Sequence, residues 1–221
     1  TSSRTHTIMR TYFIADPVAV QLSPSDTVAG LMSEIRAAAQ AWNEVETSDL
    51  RLAFGGLLNT GVIQNAPTLE VLFEEMAPGV IAMGGPTIRA ESNGSFIPIV
   101  KSVVRLPINM TQKRSFSEEF SGTLVHEVGH ALGLQHTLTS GVMSTYVTRT
   151  TSKAKPLTAD DIAGISLLYP SRTFLSPTGS ISGRVNLQGG QGVNLASVVA
   201  ISPAGAGVST LTNPDGTYRI D

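Results

Sequence analysis

The chain has 221 residues and no cysteine, so disulfide bonds and thiolate metal sites are excluded. Its net charge of −2 predicts no binding surface for nucleic acid or for anionic lipid. Only 14% of the residues are charged, and the 21 glycines and 12 prolines predict a globular protein with many loops.

The first part of the chain predicts a strand followed by a long helix. Met9–Ile14 has the composition of a strand. The helix can be capped by Ser23, Ser25 or Asp26, and Trp42 within it is expected to fill the core. Apolar residues recur there at helical spacing, namely Val28, Leu31, Met32, Ile35, Ala38, Ala39, Trp42 and Val45.

Further segments predict a mixed sheet against which this helix packs. Their apolar or β-rich stretches are Arg51–Phe54, Leu69–Phe73, Gly79–Met83, Phe96–Val100 and Ser102–Ile108. The run Gly84-Gly85-Pro86 is expected to end the third stretch. Pro98 and Pro107 are expected to restrict the last two to sheet edges or bulges, because proline cannot donate a ladder hydrogen bond.

Two more helices are predicted from capping patterns. Ser115-x-x-Glu118 opens a helix that runs to about Leu132, where Gly133 can end it. Thr158-x-x-Asp161 opens another, which Pro170 stops. The apolar stripe of this last helix consists of Ile162, Ile165, Leu168 and Tyr169.

The composition changes after the last helix. Residues 171–179 are polar and contain proline, which predicts a linker. Short β segments separated by glycine-rich turns are then predicted at Ser180–Val185, Ala196–Ile201 and Val208–Leu211. Asn213-Pro214-Asp215-Gly216 is a strong turn signal near the end.

Three of the four histidines lie within residues 126–136, which read His-Glu-Val-Gly-His-Ala-Leu-Gly-Leu-Gln-His. A chance match to the five fixed positions of this spacing has odds on the order of 10⁻⁵. On a helix, His126 and His130 project from one face one turn apart, so both can bind one Zn²⁺. Gly133 can turn the chain through a positive φ, which lets His136 complete a three-histidine site.

The spacing favours one catalytic zinc ion, because the fourth coordination position stays open for water. Glu127 lies next to a ligand but points off its axis, which suits contact with that water. Two alternatives remain: the histidines bind no metal, or the zinc site belongs to a protein that no longer cleaves anything. The intact Glu127 argues against the second alternative.

Residues 126–136 match the extended zinc signature of the metzincin metallopeptidases, and Ser140-Gly141-Val142-Met143 resembles their Met-turn. The resemblance implies that the three histidines bind zinc and that Glu127 is the base. It also implies that Met143 packs as a floor beneath the ion, although a methionine by itself more often fills a core gap.

Within the metzincins the chain is most similar to the matrixins, over roughly Met9–Pro170. Ala37–Trp42 resembles their first-helix pattern, and the predicted strand order before the zinc helix is similar. The resemblance implies an α+β fold with a mixed twisted sheet, a long first helix, a zinc-binding helix, a Met-turn and a C-terminal helix.

The chain departs from the animal matrixins in two places. Their structural zinc and calcium sites lie in a loop that corresponds to Gly84–Asn93, which here has no histidine and one acid, Glu91. We therefore expect a single zinc, and the sequence offers no support for calcium. Tyr146 lies three residues after Met143, whereas a zinc-reaching tyrosine lies two after it, so Tyr146 is expected in a pocket wall instead.

Residues 180–221 resemble the start of a carboxypeptidase regulatory-like β-sandwich module, in Gly-Ser-Ile-Ser-Gly-Arg-Val and Asn-Pro-Asp-Gly-Thr-Tyr. A whole sandwich of this kind needs about 80–100 residues, so a partial module is expected. The expected domains are a catalytic domain over residues 1–170, a linker over 171–179 and the partial module over 180–221.

Together these patterns predict a secreted, monomeric zinc endopeptidase acting on proteins or peptides, with its signal segment outside this sequence. No apolar run is long enough for a membrane span. The resemblance implies an extended substrate along Val80–Met83, contacting Val80, Ile81 and Ala82, and a side-chain pocket walled by the zinc helix and Thr145–Lys153. The alternative is a catalytically inactive zinc-fold protein with a binding or adhesion role.

Overall fold

A computed structural model describes residues 8–58, 67–88, 97–111, 116–146, 151–172, 174 and 177–221. Five strands form one mixed sheet: β1 (Ile8–Ile14), β2 (Leu50–Leu57), β3 (Thr68–Glu74), β4 (Met83–Ile88) and β5 (Ile99–Pro107). Their order is β2-β1-β3-β5-β4. Neighbours pair in parallel except β4, which runs antiparallel to β5 along one edge.

Helix α1 (Val28–Asn43) buries one apolar face in the core. Trp42 is fully buried, as predicted, and its indole N–H donates to the Val125 carbonyl at 3.0 Å. The predicted caps Ser23, Ser25 and Asp26 are wrong. The cap is Thr27, which directly precedes the first helical residue, and its hydroxyl accepts from the Gly30 N–H at 3.0 Å.

Helix α2 (Glu118–Ala131) begins after Ser117, whose hydroxyl accepts from the Phe120 N–H at 3.4 Å. The predicted cap, Ser115, lies outside the described residues. Helix α3 (Ala159–Leu168) confirms the second capping pattern. The Asp161 carboxylate accepts from the backbone N–H and the hydroxyl of Thr158, both at 2.8 Å. None of the described helices combines the length and apolar content of a membrane span.

Two strand predictions are wrong. The third β-rich stretch is not a strand over Gly79–Met83, since β4 begins only at Met83 and continues through Pro86 to Ile88. Proline is compatible with β4 because the strand lies at a sheet edge. The last two stretches form one strand, β5, which lies between β3 and β4 and is not an edge. Pro107 ends it and Pro98 precedes it, so neither interrupts its ladder.

The C-terminal part contains two antiparallel pairs, which confirm the short strands predicted there. Strand β6 (Ile181–Arg184) pairs with β9 (Thr217–Ile220), and β7 (Ser197–Ile201) pairs with β8 (Gly207–Leu211). Strand β8 packs against α3. The preceding segment also contacts the larger unit, because the Ser171 N–H donates to the Thr47 carbonyl at 3.0 Å and Phe174 is buried.

Candidate metal centre

The ring nitrogens of three histidines converge at the C-terminal half of α2. The Nε2 atom of His136 lies 3.2 Å from that of His126 and 3.1 Å from that of His130. Three nitrogens bound to one tetrahedral Zn²⁺ at about 2.0–2.1 Å would lie roughly 3.3 Å apart. Within the described parts of the chain, this is the one group of three or more His, Asp or Glu side chains arranged to hold a metal ion.

Backbone carbonyls determine which nitrogen of the two helical histidines faces the centre. The Nδ1–H of His126 donates to the Val142 carbonyl at 2.6 Å, and that of His130 donates to the Leu134 carbonyl at 2.9 Å. Because a carbonyl only accepts, the proton resides on Nδ1 and the Nε2 lone pair points inward. Lone pairs facing one another at this distance repel unless a cation lies between them, so the donor set fits zinc.

Metal ligation requires neutral imidazoles, and desolvation favours the neutral form of His126 and of His136. Desolvation lowers the pKa of His126 and of His136 below the usual value of 6.5. For His136 the neighbouring charge of His130 lowers the pKa further. The hydrogen bond to the Val142 carbonyl acts in the opposite direction on His126, but burial is the larger effect.

A glycine turn brings the third histidine back to the helix. Gly133 has a φ of 104°, in the left-handed region that favours glycine, and its N–H donates to the His130 carbonyl at 2.9 Å. His136 lies three residues further on. The next residue, Thr137, is attached to the following turn, since its N–H donates to the Met143 carbonyl at 2.9 Å.

Met143 lies directly beneath α2 and is buried. A Cβ atom added to Gly129 would overlap the Met143 sulfur and would come within 2.9 Å of the Trp42 ring. Glycine at this helical position therefore permits the close approach between the helix and the methionine turn. Gly129 could not be identified from the sequence, because it occupies a variable position of the zinc motif.

The methionine turn is held from the other side by Asp161. Its carboxylate accepts from the backbone N–H of Val142 at 3.0 Å and of Met143 at 3.1 Å. The same carboxylate caps α3 through Thr158, so one buried acid connects the helix start to the turn. The capping pattern indicated Asp161 from sequence but did not indicate this second contact.

Glu127 is buried between α2 and the edge strand β4, with 9% of its surface exposed. Burial raises the pKa of its carboxyl, while the charge of His130 and a hydrogen bond from the Gly84 N–H lower it. A Cβ atom at Gly84 would overlap the Glu127 carbonyl oxygen, so glycine is required where β4 meets the helix. Gly84 was also not identified from sequence.

A cavity of about 480 Å³ adjoins His126 and Glu127. Its walls include three predicted substrate-contact residues, Ile81, Ala82 and Tyr146. The fourth, Val80, lies in a turn where its N–H donates to the Ala77 carbonyl, and it does not line the cavity.

The rest of the cavity wall comes from α2 and the segment after Met143. The first turn of α2 contributes two exposed acids, Glu118 and Glu119. From the predicted wall Thr145–Lys153, Thr145 and Thr151 line the cavity, whereas residues 147–150 lie outside the described residues. Half of the loop predicted to lack a structural zinc, residues 89–93, also lies outside them, and the other half, residues 84–88, belongs to β4.

Comparison with known families adds an independent finding. A family model described as Matrixin matches residues 21–170. That range includes α1, α2 and α3, the three histidines and the methionine turn. No curated protein matches the chain at a significant level of similarity.

Proposed function

The chain belongs to the matrixin family of zinc metallopeptidases, and we propose that it is a secreted endopeptidase whose zinc ion is held by His126, His130 and His136. The observation that carries this proposal is the convergence of three Nε2 atoms, two with their lone pairs directed inward by backbone carbonyls. Met143 supports the ligands from below, and Gly133 allows the chain to return to the ion.

Glu127 is proposed as the general base and acid. When bound, zinc supplies a Lewis acid that polarises the scissile carbonyl and lowers the pKa of water towards ~7. Glu127 accepts the proton of the attacking water and delivers it to the leaving amine, a shuttle worth about 10²–10⁴ in rate. Its raised pKa supports this role, because a carboxyl that is too acidic returns a proton poorly.

The substrate is proposed to bind as an extended strand along the start of β4. This strand lies at the edge of the sheet, so a peptide can hydrogen-bond to its outer side. Ile81 and Ala82 precede it and line the cavity beside Glu127. The substrate side chain that follows the scissile bond would enter this cavity, with Tyr146 at its wall.

The catalytic unit is proposed to cover residues 1–170, followed by a connecting segment over 171–179 and a partial β-sandwich module over 180–221. All residues with a proposed catalytic or metal-binding role precede Pro170. The two antiparallel strand pairs support the module proposal. Secretion is proposed from the family resemblance, and detection of the protein in the culture medium would test it.

Turnover of denatured casein or gelatin tests the proposed activity. We expect cleavage that is lost on treatment with a chelator and restored by added zinc, with about one zinc per chain by elemental analysis. A protein that holds zinc but cleaves no substrate would instead support the inactive binding or adhesion role. Two tightly held zinc ions would contradict the single-site proposal.

A further inference from the structure

The carboxylate of Asp160, at the start of α3, connects two segments that are far apart in sequence. One oxygen accepts from the Ser209 backbone N–H at 2.6 Å. The other accepts from the hydroxyls of Ser209 at 2.8 Å, Thr137 at 2.7 Å and Thr139 at 2.5 Å. Ser209 lies in the middle of β8, whereas Thr137 and Thr139 belong to the segment that follows the third histidine.

The Asp160 carboxylate holds the residue next to His136, which has fewer structural supports than the other two histidines. His126 and His130 are positioned by α2 and by carbonyl acceptors, whereas His136 lies outside the helix and is exposed. Its neighbour Thr137 is held twice, through its backbone by Met143 and through its hydroxyl by Asp160. The position of the His136 ring therefore depends on what holds Thr137.

Strand β8 reaches this point directly. The Ser209 hydroxyl lies 3.0 Å from the Thr137 hydroxyl, in addition to its contact with Asp160. The neighbouring acid, Asp161, supports the methionine turn, so the first turn of α3 supports both segments around the metal centre. Through Ser209, strand β8 also contacts the first turn of α3.

We propose that Ser209 is a positioning residue for the metal centre, acting through Asp160 and Thr137 to keep His136 in place for the ion. The inference rests on the proposed zinc function. It assigns to the β7–β8 pair a role in retaining zinc, although neither strand contributes a proposed zinc ligand. Outer contacts of this kind commonly change metal affinity by about 10–100-fold in other zinc proteins.

The rate at which zinc passes from the loaded protein to a coloured chelator tests the proposal. Ser209→Ala should release zinc about tenfold faster than the original chain. Ser209→Thr keeps the hydroxyl and should restore slow release. Ser182→Ala is the matched control, because it removes a hydroxyl from an exposed position in β6 and should leave the rate unchanged.

Melting temperatures with and without zinc separate positioning from simple packing. A positioning role lowers the melting temperature of the zinc-loaded Ser209→Ala protein more than that of its metal-free form. Equal losses in both forms, or an unchanged rate of zinc release, would overturn the inference while leaving the proposed function intact. An original chain that binds no zinc would overturn the proposed function itself, and this inference with it.

Discussion

Glu127→Gln isolates the proposed base from the metal site. Glutamine has nearly the same shape and keeps an oxygen for the Gly84 N–H, but it cannot accept a proton from water. We expect kcat/KM to fall by about 10² or more while zinc content stays at that of the original chain. Peptide cleavage assays and elemental analysis measure the two quantities.

Glu119→Gln is the matched control for that substitution. Glu119 lies on the same helix and lines the same cavity, but it is exposed. Its substitution should leave most of the activity in place. If Glu127→Gln cleaves at the wild-type rate, or if both variants lose the same amount of activity, Glu127 is not the base.

Zinc affinity should resist mild acid and then fall steeply. Protons compete with the metal for the imidazoles, and the pKa values of His126 and His136 lie below 6.5 because both rings are partly desolvated and His136, although exposed, lies beside His130. Their protonation in the metal-free fold therefore begins at a lower pH than for free imidazole. Zinc titrations at a series of pH values should show little change down to about pH 6.5 and a loss below it. Marked weakening between pH 8 and 7 would contradict this assignment.

The same lowered pKa values affect the stability of the metal-free protein. At these two histidines the folded state binds fewer protons than the unfolded chain, so the stability they contribute is lost as the pH falls below 6.5 and through their folded pKa values. Glu127 acts in the opposite direction because its pKa is raised. Thermal melting of metal-free Glu127→Gln protein therefore isolates the contribution of the histidines.

The histidine pattern could be predicted because it depends on local geometry. A spacing of four residues on one helix and a glycine turn are visible in eleven consecutive residues. Gly84, Gly129 and Asp161 owe their roles to contacts with segments far away in sequence. The two glycines matter because they have no side chain, and no local sequence pattern distinguishes them from other glycines.

At the scale of elements, helix existence was easier to predict than strand boundaries. Helices α1–α3 lie where apolar periodicity and capping patterns predicted helices, although only α3 has the predicted residue as its observed cap. Strand β4 was misplaced because its sequence, Met-Gly-Gly-Pro-Thr-Ile, has the residues of a turn. Glycine fits there because β4 approaches Glu127 closely, and proline fits because β4 lies at the sheet edge. Both conditions depend on tertiary structure and are not visible in the local sequence.

The packing of α2 on the methionine turn predicts a cost for Gly129→Ala. Alanine favours a helix by about 1 kcal/mol over glycine. Here its methyl group would overlap the Met143 sulfur and crowd the Trp42 ring, and both side chains are buried. Overpacking of this kind costs about 1–3 kcal/mol, so we expect a net loss of stability in urea unfolding.

Gly122→Ala on the same helix provides the control. A methyl group at this position meets no atom within 4 Å, so only the gain in helix propensity remains. The variant should be as stable as the original chain or slightly more stable. Equal effects of the two substitutions would show that the helix and the methionine turn do not meet as closely as described.

At the scale of the whole molecule, the proposed catalytic unit has its own core. The five-stranded sheet and helices α1–α3 precede Pro170, and the hydrophobic core cluster of the described residues consists of side chains from these elements and their connections. The C-terminal part adds the contact of β8 with α3 and the buried side chain of Phe174. The sequence indicated the short strands there, but their contact with the larger unit depends on Ser209 and Asp160, which no motif singles out.

A chain that ends at Ser171 tests whether these later residues are needed for chemistry. We expect it to fold, to bind zinc and to cleave a short peptide when zinc is in excess, because it retains every residue with a proposed catalytic role. Loss of Phe174 burial should lower its stability by about 1.5–3 kcal/mol, and loss of Ser209 should make it release zinc faster. A second chain that ends at Gly179 keeps Phe174 and should recover the stability that its burial contributes, but not the zinc retention. Absence of peptide cleavage by both shortened chains in excess zinc, with the full chain active, would place residues 180–221 inside the catalytic unit.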